Sequence, residues 1–143
     1  QLMAGLVPFE PADLLGLQLQ PAQTDFAPSL SPEYARAMAA GGPSWSLLAS
    51  SGAVLACGGL FMQWEGRASA WAFLSPATPM RAATRLAREM LEACGIRRVE
   101  CWVDVDFQAG HRWARLLGFN LEGRMAGFSP EGRDMDLYSR VVR

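Results

Sequence analysis

Between residues 67 and 105 the hydrophobic period of the chain changes twice, and this narrows the folds open to it. "RASAWAFLS" (67–75) reads as a strand. Met80, Ala83, Leu86, Ala87, Met90, Leu91 and Cys94 then recur at helical spacing, and Gly95 closes the helix. "RRVECWVDV" returns to period two, with Val99, Cys101, Val103 and Val105 on one face. Glu100, Trp102, Asp104 and Asp106 share the other face. A strand–helix–strand unit from Ala70 to Val105 is expected to be a right-handed parallel crossover.

The flanking stretches add antiparallel pieces. "LMAGLVPF" predicts a first strand. Pro11 opens a helix expected to run to Pro21, "TDFAPSL" reads as a loop, and Ser31-Pro32 caps a short helix "PEYARAMAA". "SWSLLAS", "AVLACGGLFMQW" and "RASAWAFLS", joined by tight turns, form a meander. Gly58-Gly59 inside the second run marks a bulge or a close backbone approach. Asp106 is placed to cap a helix "FQAGHRWARLL" that ends at Gly118, and "NLEGRMAGF" with "RDMDLYSRVV" closes as a hairpin. The expectation is one α/β (α+β) domain over residues 1–143, with a mixed, mostly antiparallel sheet of six to seven strands and helices on both faces.

Composition excludes several classes. Half of the residues are hydrophobic and 19 % are charged, so a packed core is feasible. A net charge of −1 opposes general attraction to nucleic acid, although Trp45, Trp64, Trp71, Trp102 and Trp113 interleave with arginines. No apolar run approaches the roughly 18 residues of a membrane span. "QLMAGLVPFE" has neither a basic stretch nor a long apolar core, so no signal peptide is expected. Cys57, Cys94 and Cys101 lack a paired spacing and read as reduced thiols of a cytoplasmic protein; with one histidine, no metal site is expected.

The element order resembles that of the GNAT superfamily of acyl-CoA-dependent N-acetyltransferases. The residues that carry the resemblance are Leu117-Gly118-Phe119 after the last helix, Glu122-Gly123, Asp136-Leu137-Tyr138 on the last strand, and "EACGIRRVECWV". It spans essentially the whole chain and is strongest from about residue 70 onward. The resemblance implies a strand that pairs with the pantetheine arm of acetyl-CoA, here through Phe73, Leu74 and Ser75. It also implies a pyrophosphate held at the next helix start, where N–H groups lack partners and the dipole favours an anion. The family cradle reads Gln/Arg-x-x-Gly-x-Gly/Ala. Pro79 falls at its first position, Ala82 at its first glycine and Thr84 at its second small position, so the glycines are gone. Thr84 offers a hydroxyl instead. Arg81, Arg85 and Arg88 share a helix face and are candidate phosphate ligands; alternatively the face is solvated, with Arg85–Glu89 and Arg88–Glu92 pairs.

The chain departs from the family at both acid–base positions. "RASAWAFLS" has no carboxylate, and Glu65 lies just before it. The family's tyrosine in the last helix corresponds to Ala114, and the asparagine at its head to Phe107. His111, Glu65 and Tyr138 are the replacement catalytic candidates, with Asp104, Asp106 and Glu100 as further ones and Tyr138 also placed to bind acceptor. Against these roles, His111 reads as a surface histidine, Asp106 as a cap, Glu100 and Asp104 as solvent- or helix-edge-facing, and Tyr138 as strand packing. The acceptor amine is expected near Asp25, Phe26, Phe128 and Arg133.

Two readings follow from the resemblance. One is an acetyltransferase with degenerate motifs, acting on an amine with acetyl-CoA as co-substrate. The other is a non-catalytic GNAT-fold phage protein, internal to the virion or used in its assembly, that works by contacts with other virion proteins. Retained anion binding at 79–85 favours the first, and a filled groove the second. The edge of the last hairpin is also available to a second copy in a homodimer.

Overall fold

The computed structural model describes residues 3–143. Its strands are β1 (Met3–Pro8), β2 (Ser44–Ala49), β3 (Val54–Trp64), β4 (Arg67–Leu74), β5 (Arg98–Asp104), β6 (Asn120–Met125) and β7 (Met135–Val141). Its α-helices are α1 (Pro11–Leu15), α2 (Pro32–Ala40), α3 (Met80–Ala93) and α4 (Gln108–Leu116). The seven strands form one mixed sheet in the order β1-β2-β3-β4-β5-β7-β6. β4 and β5 run parallel, as the crossover requires. The pairs β1–β2, β2–β3, β5–β7 and β6–β7 run antiparallel. The fold class read from the sequence is the one observed.

The chain divides into two compact units. The first runs to Met62 and resumes over Ala70–Ala83. Its core joins Phe9, Leu14 and Leu17 with Ala35 and Met38 of α2, Cys57 of β3 and Phe73 of β4. Burying such side chains contributes about 1.5–3 kcal/mol each for the large ones. Ser46 Oγ donates to Asp13 Oδ2 at 2.7 Å, which fixes α1 to β2. Gly59 is a close approach, since a Cβ there would lie 2.7 Å from Pro43 O. The bulge on this strand sits elsewhere, where the register steps from Leu47↔Ala56 to Leu48↔Val54.

Two expectations in this unit are corrected. The helix from Pro11 does not reach Pro21; it stops after Leu15, at Gly16, and Gln20 N–H leaves the helical pattern for Leu74 O at 2.7 Å. The stretch read as a loop is a 3-10 helix over Pro21–Ser29. Short i→i+3 bonds such as Leu30 N–H to Ala27 O suit a segment in which Pro28 has no N–H to give.

The second unit holds Gln63–Ser69 and Thr84–Arg143. β5 pairs with β7 along its length, from Arg98↔Val141 to Asp104↔Met135. Arg140 Nη1 donates to Leu91 O at 3.1 Å and ties β7 to α3. Gly95 has φ +69°, the left-handed conformation that ends α3. Asp106 does not cap α4: the cap position is Phe107, without a side-chain bond, and the Asp106 carboxylate accepts from Arg133 Nη2 at 2.9 Å instead. β6 carries a register shift between Leu121 and Gly123 that leaves Glu122 unopposed.

Candidate acyl-CoA site

β4 leaves the hairpin turn at Glu65-Gly66 and ends at Leu74. Its exit is pinned to β3. Ser75 N–H donates to Leu55 O at 2.8 Å, and Thr78 Oγ1 donates to the same carbonyl at 2.8 Å and lies 2.7 Å from Ser75 O. Phe73, Leu74 and Ser75, the residues expected along a pantetheine arm, are all buried. Phe73 belongs to the first unit's core.

Backbone groups alternate sides along a strand. Ser75 faces β3, so Ala72 and Leu74 present their N–H and C=O groups to the opposite edge. Those groups are occupied. Gln23 Nε2 donates to Ala72 O at 2.7 Å, and Gln23 Oε1 accepts from Leu74 N–H at 3.0 Å. Gln20 Nε2 braces the same amide oxygen at 3.0 Å. Phe26 packs edge-on against Phe73, with ring centroids 6.0 Å apart. No sequence pattern signalled Gln23, because its role depends on where the 3-10 helix folds back.

α3 begins at Met80, as expected. Ala83 N–H bonds back to Pro79 O at 3.0 Å, so the N–H groups of Arg81 and Ala82 precede the helical ladder. Arg81, Arg85 and Arg88 are exposed. Among the described residues they make no ion pair, so the pairs expected with Glu89 and Glu92 do not form. Thr84 Oγ1 accepts from Trp113 Nε1 at 2.8 Å.

His111 and Tyr138 come together. His111 is 6 % exposed, which overturns its reading as a surface residue, and Tyr138 is fully buried. His111 Nδ1 lies 2.7 Å from Tyr138 Oη and Nε2 lies 3.2 Å from Val105 O. A carbonyl only accepts, so Nε2 carries a proton, and in the neutral ring Nδ1 then accepts from the phenol. Glu65 is exposed in the β3–β4 turn and, among the described residues, bonds to neither.

Carboxylates read as peripheral are bound. Glu100 is buried and takes two hydrogen bonds from Arg67, at 2.7 and 2.9 Å, and one from Arg98 at 2.6 Å. Arg98 also grips Glu122 at 2.7 and 2.8 Å, and Ser139 donates to Glu122. The Arg67 bonds hold the Glu100 carboxyl below its ordinary value; burial opposes this and Arg98 adds to it. Arg98, then Ser139, lowers Glu122 to about 2. The sequence signal was present, since period two puts Glu100 and Arg98 on one face. Arg133 is spent on Asp104, with Nη2–Oδ1 at 2.8 Å, and on Asp106. Phe128 packs on Trp102 with centroids 5.4 Å apart. Asp25 and Phe26 are exposed on the 3-10 helix. Among the described residues no three His, Cys, Asp or Glu side chains cluster to hold a metal ion, and no helix is long and apolar enough to cross a membrane.

No protein-family profile and no curated protein sequence matches the chain. Solved structures do. A proposed phosphinothricin N-acetyltransferase superposes with a TM-score of 0.77 at 17 % identity, over 96 % of this chain and 98 % of its own. A GNAT superfamily phosphinothricin acetyltransferase from Sinorhizobium meliloti, solved with AcCoA, gives 0.69 at 18 % identity, over 99 % of this chain and 89 % of its own. A variant of the spermidine N-acetyltransferase SpeG from Vibrio cholerae gives 0.69 at 12 % identity, over 95 % and 92 %.

The fold is that of the GNAT superfamily.

Within this fold, the segment at 79–84 sits at a strand-to-helix passage, with Ala82 in the first helical turn. Ala114 is buried on α4, and the aromatic hydroxyl beside His111 of that helix is Tyr138 on β7.

Proposed function

We propose that the chain is a GNAT-type acyltransferase that binds acetyl-CoA and passes its acetyl group to an amine. The observation that carries this reading is the row of Arg81, Arg85 and Arg88 on α3. Three exposed guanidinium groups lack ionic partners among the described residues, although glutamates lie within helical reach. Arg81 lies in, and Arg85 and Arg88 follow, a first turn whose N–H groups and dipole favour an anion. Guanidinium forks suit phosphate oxygens, and Phe73, Leu74 and Ser75 line the strand that leads to them. The amine nitrogen attacks the thioester carbonyl, a C–N bond forms, the C–S bond breaks, and the thiolate takes up a proton. Positioning supplies most of the rate, with the amine losing its proton to water. His111 bonds to Tyr138 through one ring nitrogen and to Val105 O through the other, so we assign the pair to holding α4 on β7. Asp25 and Phe26 remain proposed acceptor contacts of the first unit, and Phe128 with Arg133 proposed acceptor contacts of the second.

Calorimetric titration with acetyl-CoA tests the reading. Micromolar binding, weakened by Arg81→Ala and Arg85→Ala, is expected. Absence of heat and of any thermal shift up to millimolar acetyl-CoA overturns it. One observation favours a second reading, a GNAT-fold protein that works through protein contacts without catalysis: the β4 edge is already filled by Gln23.

A further inference from the structure

Gln23 holds β4 in the manner of a paired strand. Its side-chain amide donates to Ala72 O and accepts from Leu74 N–H, the acceptor and donor that a ligand amide would meet on this edge. Gln20 N–H takes Leu74 O at 2.7 Å, so the last carbonyl of the edge is closed as well. Both residues stand at the start of the 3-10 helix Pro21–Ser29, which buries none of its own side chains. Phe26 adds a ring contact with Phe73. A segment with no buried side chain, held to β4 by side-chain hydrogen bonds, has the character of low local stability.

We infer that Pro21–Ser29 is a displaceable strap and that Gln23 competes with the ligand's own amide for β4. The inference rests on the acyl-CoA reading above. A chain carrying secondary amides, as the pantetheine arm does, then binds in one of two states of the protein. With the strap in place, Ala72 O and Leu74 N–H are taken and the edge is closed. With the strap lifted, the ligand amide exchanges places with the Gln23 amide, bond for bond, and Phe26 leaves Phe73. Apparent affinity is lowered by the fraction of molecules in the closed state.

The test uses the full chain, the Gln23→Ala variant and Gln20→Pro. Gln20 has φ −64° and ψ 154°, a conformation proline adopts, so the second variant removes the N–H bond to Leu74 O without forcing this residue's backbone. Acetyl-CoA is the probe, by calorimetry, with residue-resolved amide exchange at Leu74. Loss of the competing bonds is expected to tighten binding about tenfold. Leu74 N–H is expected to exchange faster in free Gln23→Ala than in the unsubstituted chain, and to be protected again by acetyl-CoA. Equal affinity of all three proteins, with Leu74 exchange unchanged by the substitutions, overturns the strap and leaves the acyl-CoA reading standing. No binding by any of the three overturns both.

Discussion

His111 Nδ1 and the phenol oxygen of Tyr138 lie 2.7 Å apart across 27 residues of sequence, with neither side chain open to solvent. Tyr138→Phe removes the donor and leaves Nδ1 buried without it. The expected cost is about 1–2 kcal/mol in urea unfolding, and coupling between the two positions should appear in a double-mutant cycle. If Tyr138→Phe abolished turnover while leaving the urea midpoint unchanged, the pair would be chemical and not structural.

Acid should unfold the chain through the carboxylates of its second unit. The folded-state values of Glu100, Asp104 and Glu122 are depressed, chiefly by Arg67, Arg133 and Arg98 in turn. Such groups stabilise fully above their unfolded value and lose that contribution as pH falls through the folded one. The urea midpoint is therefore expected to stay level at neutral pH and to drop between about pH 4.5 and 2. Glu122→Gln should flatten the lower part of that limb. A midpoint that stays level down to about pH 3 would contradict the network.

Removing the buried member of this network should be costly. Glu100→Gln leaves Arg67 and Arg98 facing a neutral amide, and a loss of about 2–4 kcal/mol is expected. Glu33→Gln, which touches an exposed i,i+3 pair with Arg36, should shift stability by less than about 0.5 kcal/mol. Equal effects of the two changes would refute the burial argument.

Glycines at the α2–β2 corner should be intolerant. A Cβ on Gly42 would lie 2.2 Å from Leu60 O, a backbone atom that cannot swing aside. Gly42→Ala is expected to cost more than about 2 kcal/mol. Gly123→Ala meets nothing within 4 Å and serves as the control. Thermal melting of the two variants side by side separates the cases.

Thiol chemistry offers a further check. Burial pushes the Cys57 and Cys101 thiols up to about 12. Both should resist alkylation in the native chain at about pH 8, leaving Cys94 as the one site that takes label. Intact-mass measurement with iodoacetamide reads the number directly, and rapid double labelling would show that the core opens.

Periodicity made the architecture legible. The change of period at Met80 and again at Arg98 fixed the parallel crossover, and Gly95 marked the end of α3 where φ turns positive. What failed was local. Asp106 looked like a cap, but Arg133 offers its carboxylate a stronger partner than an amide, and only the fold of the last hairpin brings that arginine near. His111 read as a surface residue and is nevertheless buried, because Tyr138 and Val105 satisfy both ring nitrogens. Gln23 carried no pattern at all: a glutamine gains meaning here only from the backbone groups it meets 49 and 51 residues later.

β6 ends the sheet and is exposed along nearly its whole length, with Leu121 54 % open. A straight strand in that position would offer another chain a continuous ladder, the route to filaments. The extra residue at Glu122 breaks the rhythm of that ladder and sets a carboxylate in it, held by Arg98 and Ser139. An edge interrupted in this way is a poorer template for a second copy than a straight one would be.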